Sequence, residues 1–196
     1  ERSRGLGDVY KRQVCNGAGG HTGDLSPFAF VSEVKEIFDG IIIVGGSISS
    51  GESILAIQAL GADLAYMGTR FIATKESDAS DEFKEMIVNA SAKEIIKSNK
   101  ITGVNGNWLE QSLNNAGIAT NEGGAKNALS DLKRMAMPMI KQKLKVDFDI
   151  SKITAKRWRD IFSAGQGVGS ISNIPSVKDL VLELEQQHMN SKNSIL

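Results

Sequence analysis

An alternation of short apolar segments, glycine-rich turns and helical segments limits the fold of this chain more than any other feature. The strand-like segments are residues 14–15, 41–44 and 64–67, and the turns that follow them are residues 16–23, 45–47 and 68–69. Unbroken apolar runs of this kind are typical of strands that are buried on both faces of a parallel sheet. A strand, a crossover helix and a second strand make parallel neighbours with a right-handed connection. The sequence therefore predicts an α/β fold.

Helix signals separate the predicted strands. Ser26 is a predicted N-cap with Pro27 at the first helical position, and apolar residues then recur at helical spacing as far as Phe38. A second helix is predicted over residues 51–60, ending at Gly61. Ligands of parallel α/β folds bind at the carboxyl ends of the strands. The three glycine-rich turns are therefore predicted to converge on one ligand-binding face.

Composition and charge exclude several classes of protein. Hydrophobic residues make up 41% and charged residues 23% of the 196 residues, as in an ordinary soluble domain. Lys plus Arg and Asp plus Glu both number 23, so the chain lacks the basic surplus that binds nucleic acid. The apolar runs are too short to span a bilayer, and the single cysteine, Cys15, favours a reducing compartment. We expect a cytoplasmic protein, in which residues 1–13 are an adaptor-like segment outside the fold.

The rest of the chain is predicted to be mostly helical. Ser80 and Ser91 have the sequence context of helix N-caps, the second within a capping box. Residues 105–124, rich in Asn and Gly, predict a loop that is interrupted by Trp108-Leu109. Residues 154–164 and the amphipathic segment from Val177 onward predict further helices.

The turns at residues 45–47 and 68–69 have a composition that suits a phosphate group. Glycine lets backbone N–H groups approach an anion closely, and a helix start behind a turn adds a favourable dipole. In (β/α)8 barrels the loops after the last two strands often form such a site. Glycines after strands are also ordinary turn formers, so a structural role is the alternative.

His21 is a candidate for proton transfer. It lies in a glycine-rich loop rather than on an apolar helix face, and histidine titrates close to neutral pH. A histidine that only hydrogen-bonds its own loop is an equal alternative. Arg70 is placed either to neutralise charge at the second turn or to pair with an acid such as Glu76. Trp108 either stacks on a flat ligand or packs in the core.

Other chemistry is not favoured by the motifs present. Cys15 has neither a second cysteine nor a base beside it in sequence, so a structural role is favoured. The metal-binding patterns Cys-x-x-Cys and His-Glu-x-x-His do not occur, and no metal site is predicted. The glycine-rich residues 165–170 follow a predicted helix rather than a strand, which argues against a dinucleotide-binding loop.

Several segments, taken together and in order, resemble the nitronate monooxygenase family, formerly called 2-nitropropane dioxygenases. The matching segments are Asn16-Gly17-Ala18-Gly19-Gly20-His21-Thr22-Gly23, Val44-Gly45-Gly46-Ser47-Ile48, residues 60–74, residues 102–109 and Ala164-Gly165-Gln166-Gly167. The resemblance covers almost everything after residue 13. The Gly-Gly-His and Met-Gly-Thr-Arg-Phe elements in this order are jointly specific.

The resemblance implies an FMN-binding (β/α)8 TIM barrel with an added substrate domain. It implies that His21 is the catalytic base or acid. It also implies a set of residues near the cofactor: Asn16, Gly19, Gly46, Ser47, Tyr66, Met67, Gly68 and Thr69. Residues 14–75 would be the last barrel strands at the phosphate-binding end, residues 76–149 a mostly helical substrate domain, and residues 150–196 a helical return to the barrel. The chain would then be the C-terminal part of a longer protein.

The activity that the resemblance implies is the oxidation of alkyl nitronates with O2. Two departures indicate alternatives: Ser47 stands where the family usually has Gly, and residues 25–31 resemble a branch of flavin reductases that act on acyl-CoA thioesters. The alternative enzyme is therefore an NAD(P)H-dependent enoyl or acyl-CoA reductase of the same fold. The alternative of another class is an inactive fragment or a phosphate-ligand-binding module. The expected partner is a small molecule, not nucleic acid or a membrane, and no oligomeric state is predicted.

Overall fold

The computed structural model describes residues 14–118 and 160–195. The helices are α1 (Pro27–Ile37), α2 (Gly51–Leu60), α3 (Thr69–Ile72), α4 (Asp81–Asn89), α5 (Glu110–Asn115) and α6 (Val177–Ile195). The strands are β1 (Gly20–His21), β2 (Ile43–Gly45), β3 (Leu64–Tyr66), β4 (Ile95–Ser98) and β5 (Gly106–Leu109). Short 3-10 helices cover Ala92–Glu94 and Gln166–Ser170. The predicted adaptor-like residues 1–13 lie outside the described residues.

Strands β2 and β3 are parallel neighbours joined by α2, as the sequence predicts. Ile43 lies opposite Leu64, and Gly45 lies opposite Tyr66. The chain at Cys15 runs beside β2 and donates its backbone N–H to the Gly45 carbonyl at 3.0 Å, although residues 14–15 do not form the predicted strand. The carboxyl ends of β2 and β3 lead into the turns at residues 45–47 and 68–69. The prediction that these turns lie side by side is confirmed.

The helices begin at the predicted caps. The Ser26 hydroxyl accepts a hydrogen bond from Ala29 N at 3.4 Å, and the Ser80 hydroxyl accepts one from Phe83 N at 3.3 Å. Helix α2 begins after Ser50 and ends at Gly61, whose φ of 103° is the left-handed conformation that favours glycine. The local signals at both ends of these helices therefore decide where they lie.

Strand β2 is buried on one face only, which corrects the prediction of burial on both. Ile42 and Val44 are 7% and 1% exposed and pack against α1 and α2 residues, whereas Ile41 and Ile43 are 69% and 55% exposed. Leu64 and Tyr66 continue the exposed face onto β3. An unbroken apolar run does not by itself reveal which face of a strand the helices cover.

A second sheet replaces part of the predicted loop and helix. Its strand order is β1-β5-β4, with both pairs antiparallel. Residues 106–109 are therefore a strand rather than a loop, and Trp108 is fully buried in it with its indole N–H donated to the Ser98 carbonyl at 3.2 Å. This favours the packing alternative for Trp108.

Two predicted helices are shorter than expected or missing. The capping box at Ser91 forms, with Ser91 N donating to the Glu94 carboxylate at 2.7 Å, but it begins only one 3-10 turn because β4 follows at once. In the described part of the predicted helix 154–164, the chain is extended and Ser163 bridges to Trp108. Residues 119–159 lie outside the described residues, and the boundaries 76–149 and 150–196 stay predictions.

Helix α6 packs across the start of α2. Gly51 N donates to the Gln187 side-chain carbonyl at 2.8 Å, and a Cβ on Gly51 would overlap the backbone nitrogen of His188 and the carbonyl oxygen of Leu184. The first turn of α6 is capped by Glu76, whose carboxylate accepts from Val177 N at 2.9 Å. None of the helices in the described ranges combines the length and apolar content that a membrane span requires.

We expect Gly51→Ala to lower the free energy of unfolding by about 1–3 kcal/mol. The added Cβ would overlap backbone atoms of α6, which cannot move away as a flexible side chain could. Chemical denaturation of the chain measures this. Gly68→Ala is the matched control, because a Cβ there meets no atom within 4 Å and should change the stability by less than about 0.5 kcal/mol. Equal effects of the two substitutions would contradict the packing of α6 on α2.

Candidate functional site

The two phosphate-type turns open into one shared cavity. It has a volume of about 210 Å³ and lies at the carboxyl ends of β2 and β3. The predicted residues that line it are Gly19, Gly46, Ser47, Tyr66, Gly68 and Thr69. None of the described lining residues carries a formal charge. An anion in this cavity would therefore be held by backbone N–H groups and hydroxyls rather than by a cationic side chain.

Asn16 and Met67 are not among the lining residues, although the sequence predicted them beside the cofactor. Asn16 donates its backbone N–H to the Leu25 carbonyl at 2.7 Å. Met67 packs against the apolar cluster between α1 and α2, on the opposite side of β3 from the cavity. Because side chains alternate along a strand, Tyr66 and Met67 cannot both face the same space.

Gly17 joins three of the segments that enclose the cavity. Its carbonyl accepts hydrogen bonds from Ser47 N at 3.3 Å and from Gln166 N at 2.9 Å. Its φ of 88° is a conformation that favours glycine, and a Cβ at this position would overlap the Ser47 hydroxyl. The glycine is thus required both by the turn and by the close approach of the second segment.

Residues 163–167 form a wall of the cavity that reasoning from the sequence missed. Gly165 N donates to the Thr69 hydroxyl at 2.9 Å, and a Cβ on Gly165 would lie 2.7 Å from the Gly17 carbonyl oxygen. The Ser49 hydroxyl donates to the Gly167 carbonyl at 2.7 Å. The available signal was the Ala-Gly-Gln-Gly segment, which the resemblance includes but to which no site role was given.

Ser47 has a strained backbone. Its φ is 57°, and among the described residues it is the only one other than glycine with a positive φ. Such strain persists where the surroundings over-determine the conformation, and it is concentrated at functional sites. At this cavity the Ser47 side chain supplies a hydroxyl.

Arg70 does not face the cavity, which corrects one of its two predicted roles. Its guanidinium is buried against the chain before α6, where it donates to the Asn173 side-chain oxygen at 2.7 Å and to the Asn173 carbonyl at 3.3 Å. Burial lowers the pKa of Arg70, and the Glu183 carboxylate, 3.8 Å away, opposes that shift. Its acidic neighbour is therefore Glu183 rather than Glu76.

Cys15 is buried beneath the first turn. Burial raises the pKa of its thiol to about 11, so the thiolate is strongly disfavoured at neutral pH. A Cβ on Gly46 would lie 3.0 Å from the Cys15 Cβ, so the thiol side chain packs directly under that glycine. This favours the structural role.

His21 lies at the rim of the cavity, not in its wall. The residue before it, Gly20, lines the cavity, and His21 itself is exposed in β1, paired with Gly106 of β5. The next residue, Thr22, donates its backbone N–H to the Asn105 carbonyl at 3.0 Å. The second sheet therefore fixes the backbone on both sides of the imidazole.

Comparisons with known proteins identify a family and a fold that this chain shares. The sequence profile of one family, described as nitronate monooxygenase, matches residues 14–187. A curated relative from Rhodococcus jostii (strain RHA1), named (3aS,4S,5R,7aS)-5-hydroxy-7a-methyl-1-oxo-octahydro-1H-indene-4-carboxyl-CoA dehydrogenase, is 26% identical over 194 residues that cover 83% of this chain and 54% of the relative. The chain thus spans about half the length of that relative.

Two solved structures share the fold. FabK from Thermotoga maritima superposes with a TM-score of 0.64 at 24% identity, covering 91% of this chain and 53% of FabK. The nitroalkane oxidase from Streptomyces ansochromogenes gives a TM-score of 0.62 at 21% identity, covering 93% of this chain and 53% of that protein. These are TIM-barrel enzymes, and the predicted α/β fold with part of a (β/α)8 barrel is confirmed.

The family profile covers most of the chain, including the Gly-Gly-His loop, both phosphate-type turns and the 163–167 wall. The resemblance stated from the sequence is therefore confirmed. This chain belongs to the nitronate monooxygenase family, a family of flavin-dependent oxidoreductases.

Proposed function

We propose that the chain carries the phosphate-binding end and the proton-transfer residue of an FMN-dependent enzyme that oxidises alkyl nitronates with O2. The observation that carries the proposal is the glycine-lined cavity at the carboxyl ends of two adjacent parallel strands, with His21 at its rim. Neither element alone is specific. Their juxtaposition within a member of this family supports the proposal.

The cavity suits the phosphate end of FMN. Its volume of about 210 Å³ is below the range of about 300–1,000 Å³ of pockets that enclose a whole ligand, so it suits one part of a larger molecule. Gly46 and Gly68 allow close backbone approach, and Ser47 and Thr69 add hydroxyls. Because the Thr69 oxygen already accepts from Gly165 N, its own proton is left to be donated toward an anion.

The proposed role of His21 is proton transfer. Bound FMN supplies the electron acceptor for the substrate and the route to O2. An imidazole nitrogen of His21 would accept the proton from the carbon next to the nitro group of a nitroalkane, or would orient the anionic nitronate. His21 is an exposed residue of β1 and follows Gly20, which lines the cavity, and this placement supports the proposed role.

An NAD(P)H-dependent enoyl or acyl-CoA reductase is the second candidate. One curated relative is named as a dehydrogenase of a CoA thioester, and its similarity favours this alternative. In that reaction His21 would donate a proton instead of accepting one. The alternative that is not an enzyme is a phosphate-ligand-binding module without turnover. The chain spans about half the length of the relatives it matches.

Flavin titration followed by two assays tests the proposal. We expect the protein to bind FMN at least tenfold more tightly than riboflavin, which differs only by the phosphate and should lose about 1.4 kcal/mol or more. Nitrite or peroxide release from a nitronate would support the oxidase reaction, and NADPH consumption with an enoyl-CoA would support the reductase. Equal affinity for the two flavins would contradict the phosphate site, and flavin binding without either reaction would favour the binding module.

A further inference from the structure

Asn107 is a buried amide that is only half satisfied. Its side chain is 1% exposed, and its Nδ2 donates to the Ala18 carbonyl at 2.7 Å. Its Oδ1 is buried without a hydrogen-bond partner among the described residues. Turning the amide over would bring two acceptors together, so the Ala18 carbonyl fixes its orientation. An unpaired buried acceptor is costly, and an apolar side chain would exchange that cost for the loss of the bond to the Ala18 carbonyl.

The amide at this position is explained by the loop that it holds. Ala18 lies in the glycine-rich loop and lines the cavity. The backbone of β5 pairs with the same loop, with Gly20 opposite Asn107 and His21 opposite Gly106. Glycines leave a chain conformationally free unless other contacts fix it. The amide bond to Ala18 and the β1–β5 pairing together fix the stretch that carries His21.

We propose that Asn107 is a positioning residue, an inference that rests on the proposed function for the role of His21. The hydrogen bond from its Nδ2 to Ala18 holds the Gly-Gly-His loop so that the imidazole lies at the rim of the cavity. The second sheet thereby contributes a residue to the site from about 90 positions downstream in the chain. A loosened loop would misplace the imidazole, and small displacements of a catalytic group reduce turnover strongly.

The test compares Asn107→Leu with Trp108→Phe in the full chain. Trp108 is the next residue of the same strand and points to the opposite face, so its substitution by Phe removes the bond to the Ser98 carbonyl without touching Ala18. With only two histidines in the chain, NMR of the imidazole Cε1–H groups resolves His21 from His188, and His188→Gln assigns the two peaks. Asn107→Ala repeats the comparison if the leucine variant does not fold.

We expect Asn107→Leu to broaden the His21 peak. Trp108→Phe removes an aromatic ring from the sheet face that carries His21, so it should move that peak without broadening it, and it should lower the melting temperature. In the flavin-loaded protein, Asn107→Leu should reduce kcat about tenfold and change KM by less than about twofold. An unchanged His21 peak in the Asn107 variants, or the same change in Trp108→Phe, would overturn the proposal. A wild-type protein that binds no flavin would count against the proposed function, and the His21 comparison would still decide whether Asn107 holds the loop.

Discussion

The His21→Asn protein should bind FMN as tightly as the wild type and turn over nitroalkane about 10²–10⁴-fold more slowly, the usual contribution of a general base. Asparagine keeps a polar side chain at an exposed position in β1, and His21 is not part of the cavity wall. The asparagine amide, unlike an imidazole, has no group that accepts a proton near neutral pH. Steady-state release of nitrite or peroxide, normalised to bound flavin, measures the effect.

His188→Asn is the matched control, because it changes the other histidine of the chain. His188 lies on α6 with its Nε2 2.7 Å from the Gln58 side-chain oxygen, outside the cavity wall. Its substitution should leave turnover within about twofold of the wild type, since surface changes away from the site have small effects. If the His21→Asn protein binds flavin and turns over within threefold of the wild-type rate, the proton-transfer role is contradicted and His21 only hydrogen-bonds its own loop.

The part of the site that could be predicted from the sequence is the part that local signals determine. Glycines after apolar runs predicted the turns at residues 45–47 and 68–69, and the β-α-β order predicted that they lie together. Both follow from rules that hold within some 30 residues of chain, namely strand alternation and right-handed crossovers. The caps at Ser26 and Ser80 are local in the same sense.

The part that could not be predicted depends on contacts between distant segments. Strand β5 pairs on one side with its chain neighbour β4 and on the other with β1, more than 80 residues earlier, whereas its Asn-Gly composition alone favours a loop. Gly165 lines the cavity through its bond to Thr69 and its close approach to the Gly17 carbonyl, and no spacing rule implies either contact. Arg70 turns away from the turn that it follows because Asn173 and Glu183 lie behind it.

The Gly68→Asp protein should lose at least 100-fold in affinity for FMN. Gly68 has a φ of −108° that any residue can adopt, and a Cβ there meets no atom within 4 Å, so the substitution should leave the fold intact. It places a carboxylate in a cavity whose described lining residues carry no formal charge. Two like charges about 4 Å apart repel by about 4 kcal/mol at an effective dielectric constant of 20, which exceeds the 2.7 kcal/mol that a 100-fold loss requires.

Gly68→Asn separates charge from bulk, because it has the shape of the aspartate without its charge. We expect Gly68→Asn to weaken FMN binding less than tenfold, and the two variants to bind riboflavin equally, since riboflavin has no phosphate to be repelled. Raising the salt concentration should recover part of the FMN affinity of Gly68→Asp and none of that of Gly68→Asn. Fluorescence titration with both flavins measures all four affinities. Equal losses in the two variants would mean that Gly68 serves only to leave space, and that the phosphate is bound elsewhere.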